Sequence, residues 1–373
     1  MKYYLSLCCI IKDERYLEEF ILYNRCIGVE HFYIYDNNSK YPIKDRLSSF
    51  YYNKLCTIID FPGSSKQMDA YLNCINNYKN ETNWLIVCDG DEYILPLKHN
   101  SLRDFLNEYE DAYAIGINWI MYGTSFHEYK QDGLLIDKYR YRNFKQDRHI
   151  KTICKPRYAY CFNDPHSVKL IDPSKYMDPY RRIINGPWND NFTTDIIRIN
   201  HYFGKSIEEN IEKHHRGYPD GTQRYQPLEN LNTYNNDVKD DILPNRYLNS
   251  ILKLISLTGT NYLIYKALNP DLWFMDKQEE LYNHAYNYAI PENRPLHIND
   301  KYPNFSREFY RKNYKEFSHL SDLDLELHYI YNGAPANDIC DRLITLPKKE
   351  NEDIINNEYK INNETKNKDE TKN

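Results

Sequence analysis

Asp89 and Asp91 stand one residue apart at the end of the apolar run Trp84-Leu85-Ile86-Val87-Cys88. A short apolar run that does not alternate reads as a buried strand. Carboxylates placed where such a strand leaves an open α/β sheet lie at the edge where ligands bind. Two hard oxygen ligands there suit a divalent cation held against phosphates, since ions of the Mg2+ type take a few carboxylates plus substrate oxygens. Gly90, between the two aspartates, lets the backbone turn sharply and approach a neighbour closely. An Asp-x-Asp pair by itself is commonly a solvated turn, so the surrounding segments must decide.

Those segments alternate. Residues 3–11 read as a first buried strand, and residues 14–27 as a helix with Leu17, Phe20, Ile21 and Ile27 on one face and Gly28 just past its end. Residues 31–35 are a second strand running into the turn cluster Asp36-Asn37-Asn38-Ser39, and residues 55–60 a third. Ser64-Ser65-Lys66-Gln67 matches a capping box, with Ser64 as N-cap and Gln67 three positions on. It opens a helix that carries Met68, Tyr71, Leu72 and Ile75 at helical spacing. The fourth strand delivers Asp89 and Asp91. The alternation implies a parallel sheet with right-handed crossovers, a nucleotide-binding half of Rossmann type. No GxGxxG fingerprint is present, which argues against a dinucleotide site.

Beyond this half the rhythm changes to short strands at 112–119, 134–141, 150–154, 167–171 and 196–201, then a polar helix at 206–215. Residues 225–295 read as helical and aromatic, residues 303–345 as three short helical pieces, and residues from 348 on as purely polar and charged. The expected organisation is a catalytic-type domain at 1–222, a helical region at 223–346 and a disordered polar tail at 347–373, which has too little apolar surface to offset chain entropy.

Composition narrows the function. The 373 residues carry a formal net charge of -6, with basic residues interleaved among acids, which excludes a general nucleic-acid binder. The mean hydropathy of -0.82 is low, but 38 tyrosines contribute to it, and tyrosine can fill a core while scoring as polar. The nine cysteines sit mostly in apolar runs, with no CxxC pair, and read as buried thiols of a reducing compartment. The apolar run of residues 1–11 is too short for a membrane span and has no small-residue cleavage site. The expectation is a soluble, cytoplasmic protein without a transmembrane segment.

Five stretches together resemble the DUF23 / family 92 and family 2-like glycosyltransferases of GT-A fold. They are Cys9-Ile10-Ile11-Lys12-Asp13-Glu14 with Gly28-Val29-Glu30-His31-Phe32-Tyr33-Ile34-Tyr35-Asp36-Asn37-Asn38-Ser39; the segment from Trp84 through the DxD to Tyr93; Asn118-Trp119-Ile120-Met121-Tyr122-Gly123; Lys151-Thr152-Ile153-Cys154-Lys155-Pro156 with Pro165-His166; and Asn200-His201-Tyr202-Phe203-Gly204-Lys205-Ser206 with Lys213 and Arg216-Gly217. The third block continues Thr124-Ser125-Phe126-His127, where the family more often has Phe-Gly-Ser and a small residue. Residues 303–345 resemble a small helical module appended to some bacterial and viral glycosyltransferases.

The resemblance implies a metal-dependent enzyme that moves a hexose from a nucleotide sugar, with UDP as the expected nucleotide, to a hydroxyl of a glycan or other acceptor. Asp89 and Asp91 would hold Mn2+ or Mg2+, and His201, at the end of a strand, would be the third protein ligand; an imidazole nitrogen favours Mn2+. Asp36 would accept from uracil or ribose, or else serve only its own Asx-turn. Asp13 would line the same pocket. Lys66, a cation in the first turn of a helix, conflicts with the helix dipole unless an anion such as a diphosphate sits there, or it is a surface lysine. Lys205 and Lys213 would neutralise phosphate. An inverting transfer needs a carboxylate base, for which Glu128 and Asp164 are the candidates, while a retaining one needs none. Two other readings stay open, a catalytically silent glycan- or nucleotide-binding module of the same fold and a sugar nucleotidylyltransferase. The second lacks its Gly-rich, Arg-bearing loop after the first strand, where Lys12-Asp13-Glu14 stands instead.

Overall fold

The structure, a computed structural model, describes residues 1–217 and 234–332. The chain divides into two compact units, Met1–Ile255 and Ser256–Asn373. The expected boundary at 222/223 and the expected polar tail at 347–373 lie outside the described residues. No helix among the described residues is long and apolar enough to cross a membrane.

In the first unit the chain runs β1 (Tyr3–Ile11), α1 (Leu17–Cys26), β2 (His31–Asp36), α2 (Ile43–Arg46), α3 (Phe50–Leu55), β3 (Cys56–Asp60), α4 (Gln67–Tyr78), β4 (Thr82–Val87), β5 (Glu92–Pro96), α5 (Leu102–Asn107) and β6 (Ala114–Met121). There follow α6 (Leu135–Lys138), β7 (Tyr141–Arg142), β8 (Asp147–Cys154), β9 (Ala159–Phe162), β10 (Val168–Leu170), β11 (Tyr176–Met177), β12 (Ile197–His201), α7 (Ile207–Arg216), β13 (Val238–Lys239) and α8 (Ile242–Thr258). The main sheet has the order β3-β2-β1-β4-β8-β6-β12-β5, with β11 on β6. β3, β2, β1 and β4 pair in parallel. β8 runs antiparallel to both β4 and β6, and β12 is parallel to β6 but antiparallel to β5. A parallel nucleotide-type half followed by a mixed half is the GT-A arrangement.

β1, β2 and β4 are buried over most of their length, as parallel strands covered on both faces must be. Tyrosine fills much of the interior. Tyr23, Tyr33, Tyr35 and Tyr71 are fully buried, and their hydroxyls find partners, Tyr23 donating to the Ile94 carbonyl at 2.6 Å and Tyr35 to Asn73 at 2.8 Å. This is how a chain of low mean hydropathy builds a core. The described cysteines are all free, and six of them, from Cys8 to Cys154, are buried.

The structure corrects two local expectations. Ser64 does not cap α4: Lys66 is the N-cap, without a side-chain bond, and Gln67 is the first helical residue. Ser65 takes a left-handed φ of 53° there, and the Gln67 amide turns inward instead of back to the chain. Residues 134–141 are not a strand. They begin with α6, because the buried Glu19 of α1 accepts the N–H groups of Leu135 at 2.6 Å and Ile136 at 3.0 Å and so caps a helical turn. The sequence reading also lacked β5, β9 and β11, and β13 falls within residues 225–295, which it took as helical.

Glu19 makes stability depend on pH. Burial pushes its carboxyl up to about 7 from an ordinary 4.5, against the pull of the two N–H groups. A carboxyl raised in the folded state contributes stability that is complete below the unfolded value and lost as pH rises through the folded one. Urea unfolding should therefore show a loss of stability between pH 5 and pH 8 that shrinks in Glu19→Gln, which cannot ionise. An equal loss in both proteins would remove Glu19 from the account.

The second unit, from Ser256, holds α9 (Tyr262–Leu268), α10 (Gln278–His284), α11 (Ile298–Lys301), α12 (Arg307–Asn313) and α13 (Asp322–Asn332). Ile298, Phe305, Tyr310, Leu325 and Tyr329 form its core cluster. The helical reading of residues 303–345 holds as far as residue 332 and beyond that lies outside the described residues.

Candidate functional site

β4 ends at Val87, and the Asp89-Gly90-Asp91 link leads straight into β5. A Cβ on Gly90 would come within 2.6 Å of Ile11 Cδ1, so only glycine lets the link lie against the end of β1. The link opens into a cavity of about 500 Å³, lined by the ends of β1, β4 and β6 and by α7.

Asp91 and His201 come together from opposite ends of the unit. β12 pairs with β5 so that His201 faces Glu92 and Asn200 faces Tyr93. The Tyr202 N–H also donates to the Asp91 carbonyl at 2.9 Å. His201 Nε2 lies 3.5 Å from Asp91 Oδ1, and Lys213 Nζ lies 2.6 Å from Asp91 Oδ2. Burial works to raise the Asp91 carboxyl, but Lys213, His201 and Lys205 outweigh it and hold it well below the usual carboxylate range. Burial lowers His201 against the pull of Asp91. That keeps the imidazole neutral, the form that binds metal.

Asp89 is held differently. Its Oδ1 accepts from Gln67 Nε2 at 2.5 Å and the Tyr71 hydroxyl at 3.2 Å, and its Oδ2 from Lys151 Nζ at 3.1 Å. Lys151 is buried in the middle of β8, also 3.6 Å from Glu92. Burial works to discharge Lys151, but Asp89 and then Glu92 raise it and keep it charged. Burial raises Glu92 well above the usual carboxylate range, with only partial relief from Lys151. The lysine therefore compensates Asp89 chiefly.

α7 supplies the cations. Ser206 and Glu209 form a reciprocal capping box at its start, and the Tyr139 hydroxyl braces Glu209 at 2.6 Å. Lys213 and Arg216, three residues apart, share a face and line the cavity. They stand in the last turn, where the helix dipole favours positive charge. Arg216 is steadied by the Asp13 carbonyl at 2.9 Å.

The remaining residues singled out from the sequence lie outside the cavity lining. Both carboxylate oxygens of Asp36 are used by its own turn, accepting from Ser39 and Ile43 N–H at 2.9 Å each, and its neighbour Asn37 lines the cavity instead. Asp13 is exposed and accepts from the Lys40 N–H at 2.7 Å. Lys66 pairs with Asp69 on its own helix at 2.7 Å, which places a negative charge beside it at the helix start. Lys205 is buried behind the wall, 2.6 Å from the cavity-lining Glu14. Glu128 is exposed, and its backbone carbonyl receives the Glu208 N–H at the start of α7. Asp164 spends both oxygens on the His166 and Ser167 N–H groups and the Ser167 hydroxyl, so it shapes the turn that carries His166.

Sequence reasoning missed Gln67, Lys151, His149, and the functional sides of Trp119 and His166. A lysine set between Ile150 and Ile153 in a strand was the readable signal for Lys151, since a buried lysine needs an acidic partner. Trp119 packs edge-on to His201 at 4.3 Å and stacks on His149 at 5.1 Å.

Among the described residues no three His, Cys, Asp or Glu side chains are grouped closely enough to hold a metal by themselves. Asp91 and His201 nevertheless fit one. They are a charged carboxylate and a neutral imidazole facing the same space, and Mn2+ or Mg2+ at phosphate sites draws its other oxygens from substrate and water. Lys213 already places a positive charge at that carboxylate.

The parallel half of this GT-A sheet ends in a carboxylate pair, with a histidine and a basic helix folded back over it, at the strand ends where open α/β sheets take their ligands. Residues 4–215 match the model for glycosyltransferase family 92, and the chain belongs to that family. A glycosyltransferase family 92 protein of Arabidopsis thaliana is 28% identical over 202 residues, 48% of this chain and 33% of its own length. One of Ricinus communis is 26% identical over 224 residues, 57% of this chain and 37% of its own. The chain thus spans about a third of these relatives. Among solved structures, S. aureus TarS 1–349 in complex with UDP aligns over 97% of this chain and 92% of its own, with 11% identity and a TM-score of 0.31. HddC of Yersinia pseudotuberculosis aligns over 48% and 90%, with 12% identity and a TM-score of 0.29. Both likenesses are too loose to carry an argument.

Proposed function

We propose that the chain is a glycosyltransferase that moves a hexosyl group from a nucleotide-diphosphate sugar, with UDP as the nucleotide, to a hydroxyl of a glycan or other acceptor. The observation that carries this reading is the meeting of Asp89, Asp91, His201, Lys213 and Arg216 on one cavity wall at the strand ends. Family membership supports it.

Lys213 and Arg216 are the groups for the diphosphate, with Lys213 exchanging its contact with Asp91 for phosphate oxygens. Asp89, fixed by Gln67, Tyr71 and Lys151, accepts hydrogen bonds from ribose or donor-sugar hydroxyls. Asp91 and His201 would hold Mn2+ or Mg2+, and the ion would offset the charge that gathers on the leaving nucleotide.

Thermal shift with UDP- and GDP-hexoses, each with and without Mn2+, tests the reading. A ligand that binds only the native state at about 100 times its Kd adds about 2.7 kcal/mol of stability. A rise in melting temperature with a UDP-hexose plus Mn2+, larger than with either alone, is expected. No rise with any nucleotide sugar would end the proposal.

A further inference from the structure

Among the described residues, the cavity wall carries no free carboxylate placed to take a proton from an acceptor. Asp89 and Asp91 are engaged by lysines, Glu14 by Lys205, and Glu128 and Asp164 do not line the cavity. Besides His201, two histidines line it, His149 and His166, and their tautomers are set by what they touch. His149 Nδ1 lies 2.7 Å from Asp147 Oδ1. Burial works to raise Asp147, but its bonds from the His149 ring and backbone N–H outweigh it and lower its carboxyl. An ionised carboxylate only accepts, so Nδ1 is the donor on that side, and in the neutral ring the lone pair falls on Nε2. No described residue hydrogen-bonds that Nε2.

The backbone aims this ring. β8 pairs with β6 in regular register up to Ile150 opposite Asn118, and then Asp147 stands opposite Trp119. Residues 148 and 149 are therefore extra on β8, a bulge of the kind that re-aims side chains beside active sites. The His149 ring lies stacked on Trp119, which also meets the rings of His166 and His201. It also meets the half-exposed Trp188 edge-on at 6.5 Å. His166 is a weaker candidate. Its Nδ1 faces only the Ile150 carbonyl at 3.0 Å, and burial, with Lys151 and His149, lowers it to about 4.

We propose that His149, oriented by Asp147, is the base that removes the acceptor proton. The inference rests on the glycosyltransferase reading and names a residue for it. As the acceptor oxygen bonds to the anomeric carbon, the bond from that carbon to the diphosphate oxygen breaks and its electron pair leaves with the diphosphate. The acceptor proton passes to Nε2 of His149, and the Asp147 carboxylate compensates the imidazolium. Attack and departure on opposite faces invert the anomeric centre. His149 is the catalytic residue, and Asp147 is a positioning residue.

The test uses the full chain with UDP-glucose and UDP-galactose, Mn2+, and water as acceptor, reading UDP release and, separately, UDP binding by calorimetry. General-base removal is worth about 10²–10⁴-fold, and a loss in that range is expected for His149→Ala. UDP affinity and melting temperature should be unchanged, and added imidazole should restore part of the rate. His149→Gln, which fills the same space, should lose as much without rescue. Asp147→Asn should lower kcat and leave UDP affinity alone. An undiminished His149→Ala overturns the proposal and leaves the glycosyltransferase reading standing. A loss that comes with weaker UDP binding and no imidazole rescue also overturns it, as does a rescued loss in His166→Ala in place of His149→Ala. A wild-type chain that neither binds UDP nor releases it from any UDP-hexose defeats the underlying reading, and the proposal with it.

Discussion

Asp91→Asn should abolish Mn2+-dependent turnover of a nucleotide sugar while leaving the chain folded. The substitution keeps the shape of the side chain and removes the charge that faces both His201 and Lys213. Loss of even an outer partner of a metal site costs about 10–100-fold in affinity or activity, and loss of a direct ligand should cost at least that. Isothermal titration of Mn2+ in the presence of UDP separates this from a loss of nucleotide binding, because Lys213 and Arg216 remain. A modest fall in melting temperature is expected too, since Lys213 is left largely buried without its carboxylate partner. If the variant turns over normally at ordinary Mn2+ concentrations, Asp91 is not a ligand.

The second large effect lies away from the cavity. Asp240 is buried, and its Oδ2 receives Arg198 of β12 and Arg142 of β7 at 2.6 Å each. Its Oδ1 accepts the Ile242 N–H at the start of α8. Removing one partner of a buried ion pair typically costs about 3–5 kcal/mol, because a charge is left behind. Asp240→Ala should be destabilised on that scale, and adding Arg198→Met should recover part of it. Burial works to raise Asp240, but Arg198 and Arg142 outweigh it and hold it below its ordinary 3.8. Its contribution is thus present above 3.8 and lost as pH falls through the folded value. Urea unfolding at pH 7 and at pH 3 should show the variant's deficit shrinking in acid. A deficit of the same size at both would mean the network is held by packing and not by charge.

The parallel half was legible because its signals are local. β1, β2 and β4 are apolar runs bounded by charge or turn residues; the structure places β1 and β2 at or within one residue of the expected limits and starts β4 two residues before the expected Trp84. The DxD and its glycine follow from the same reasoning. What was not legible is where a side chain chose a distant partner over a near one. Gln67 fits a capping box by spacing, yet its amide goes to Asp89, 22 residues on. Residues 134–141 have a strand-like composition, yet Glu19 supplies two acceptors that favour a helical turn. Asp36 sat at the right strand end for a ligand, but its own turn took both oxygens. The polar face of β8, with Asp147, His149 and Lys151 along one short strand, contradicts the apolar pattern that identifies buried strands. Its members make sense only once β4, β6 and the DxD link surround them.

The pairing of β12 with β5 also says where this chain can tolerate changes in length. The DxD link and His201 are kept in step by strand register alone, with His201 opposite Glu92 and Ile199 opposite Ile94. Lengthening the connection between β5 and β6 is cheap in these terms, since doubling a flexible loop costs only about 0.6 kcal/mol. One residue inserted within β12 is another matter. It would turn every following side chain to the opposite face, carrying the imidazole away from Asp91 and exchanging it with a neighbour meant for the other side. Relatives of this chain should therefore differ freely in the loops between Asp91 and Asn200, while the five positions of β12 admit neither gain nor loss of a residue.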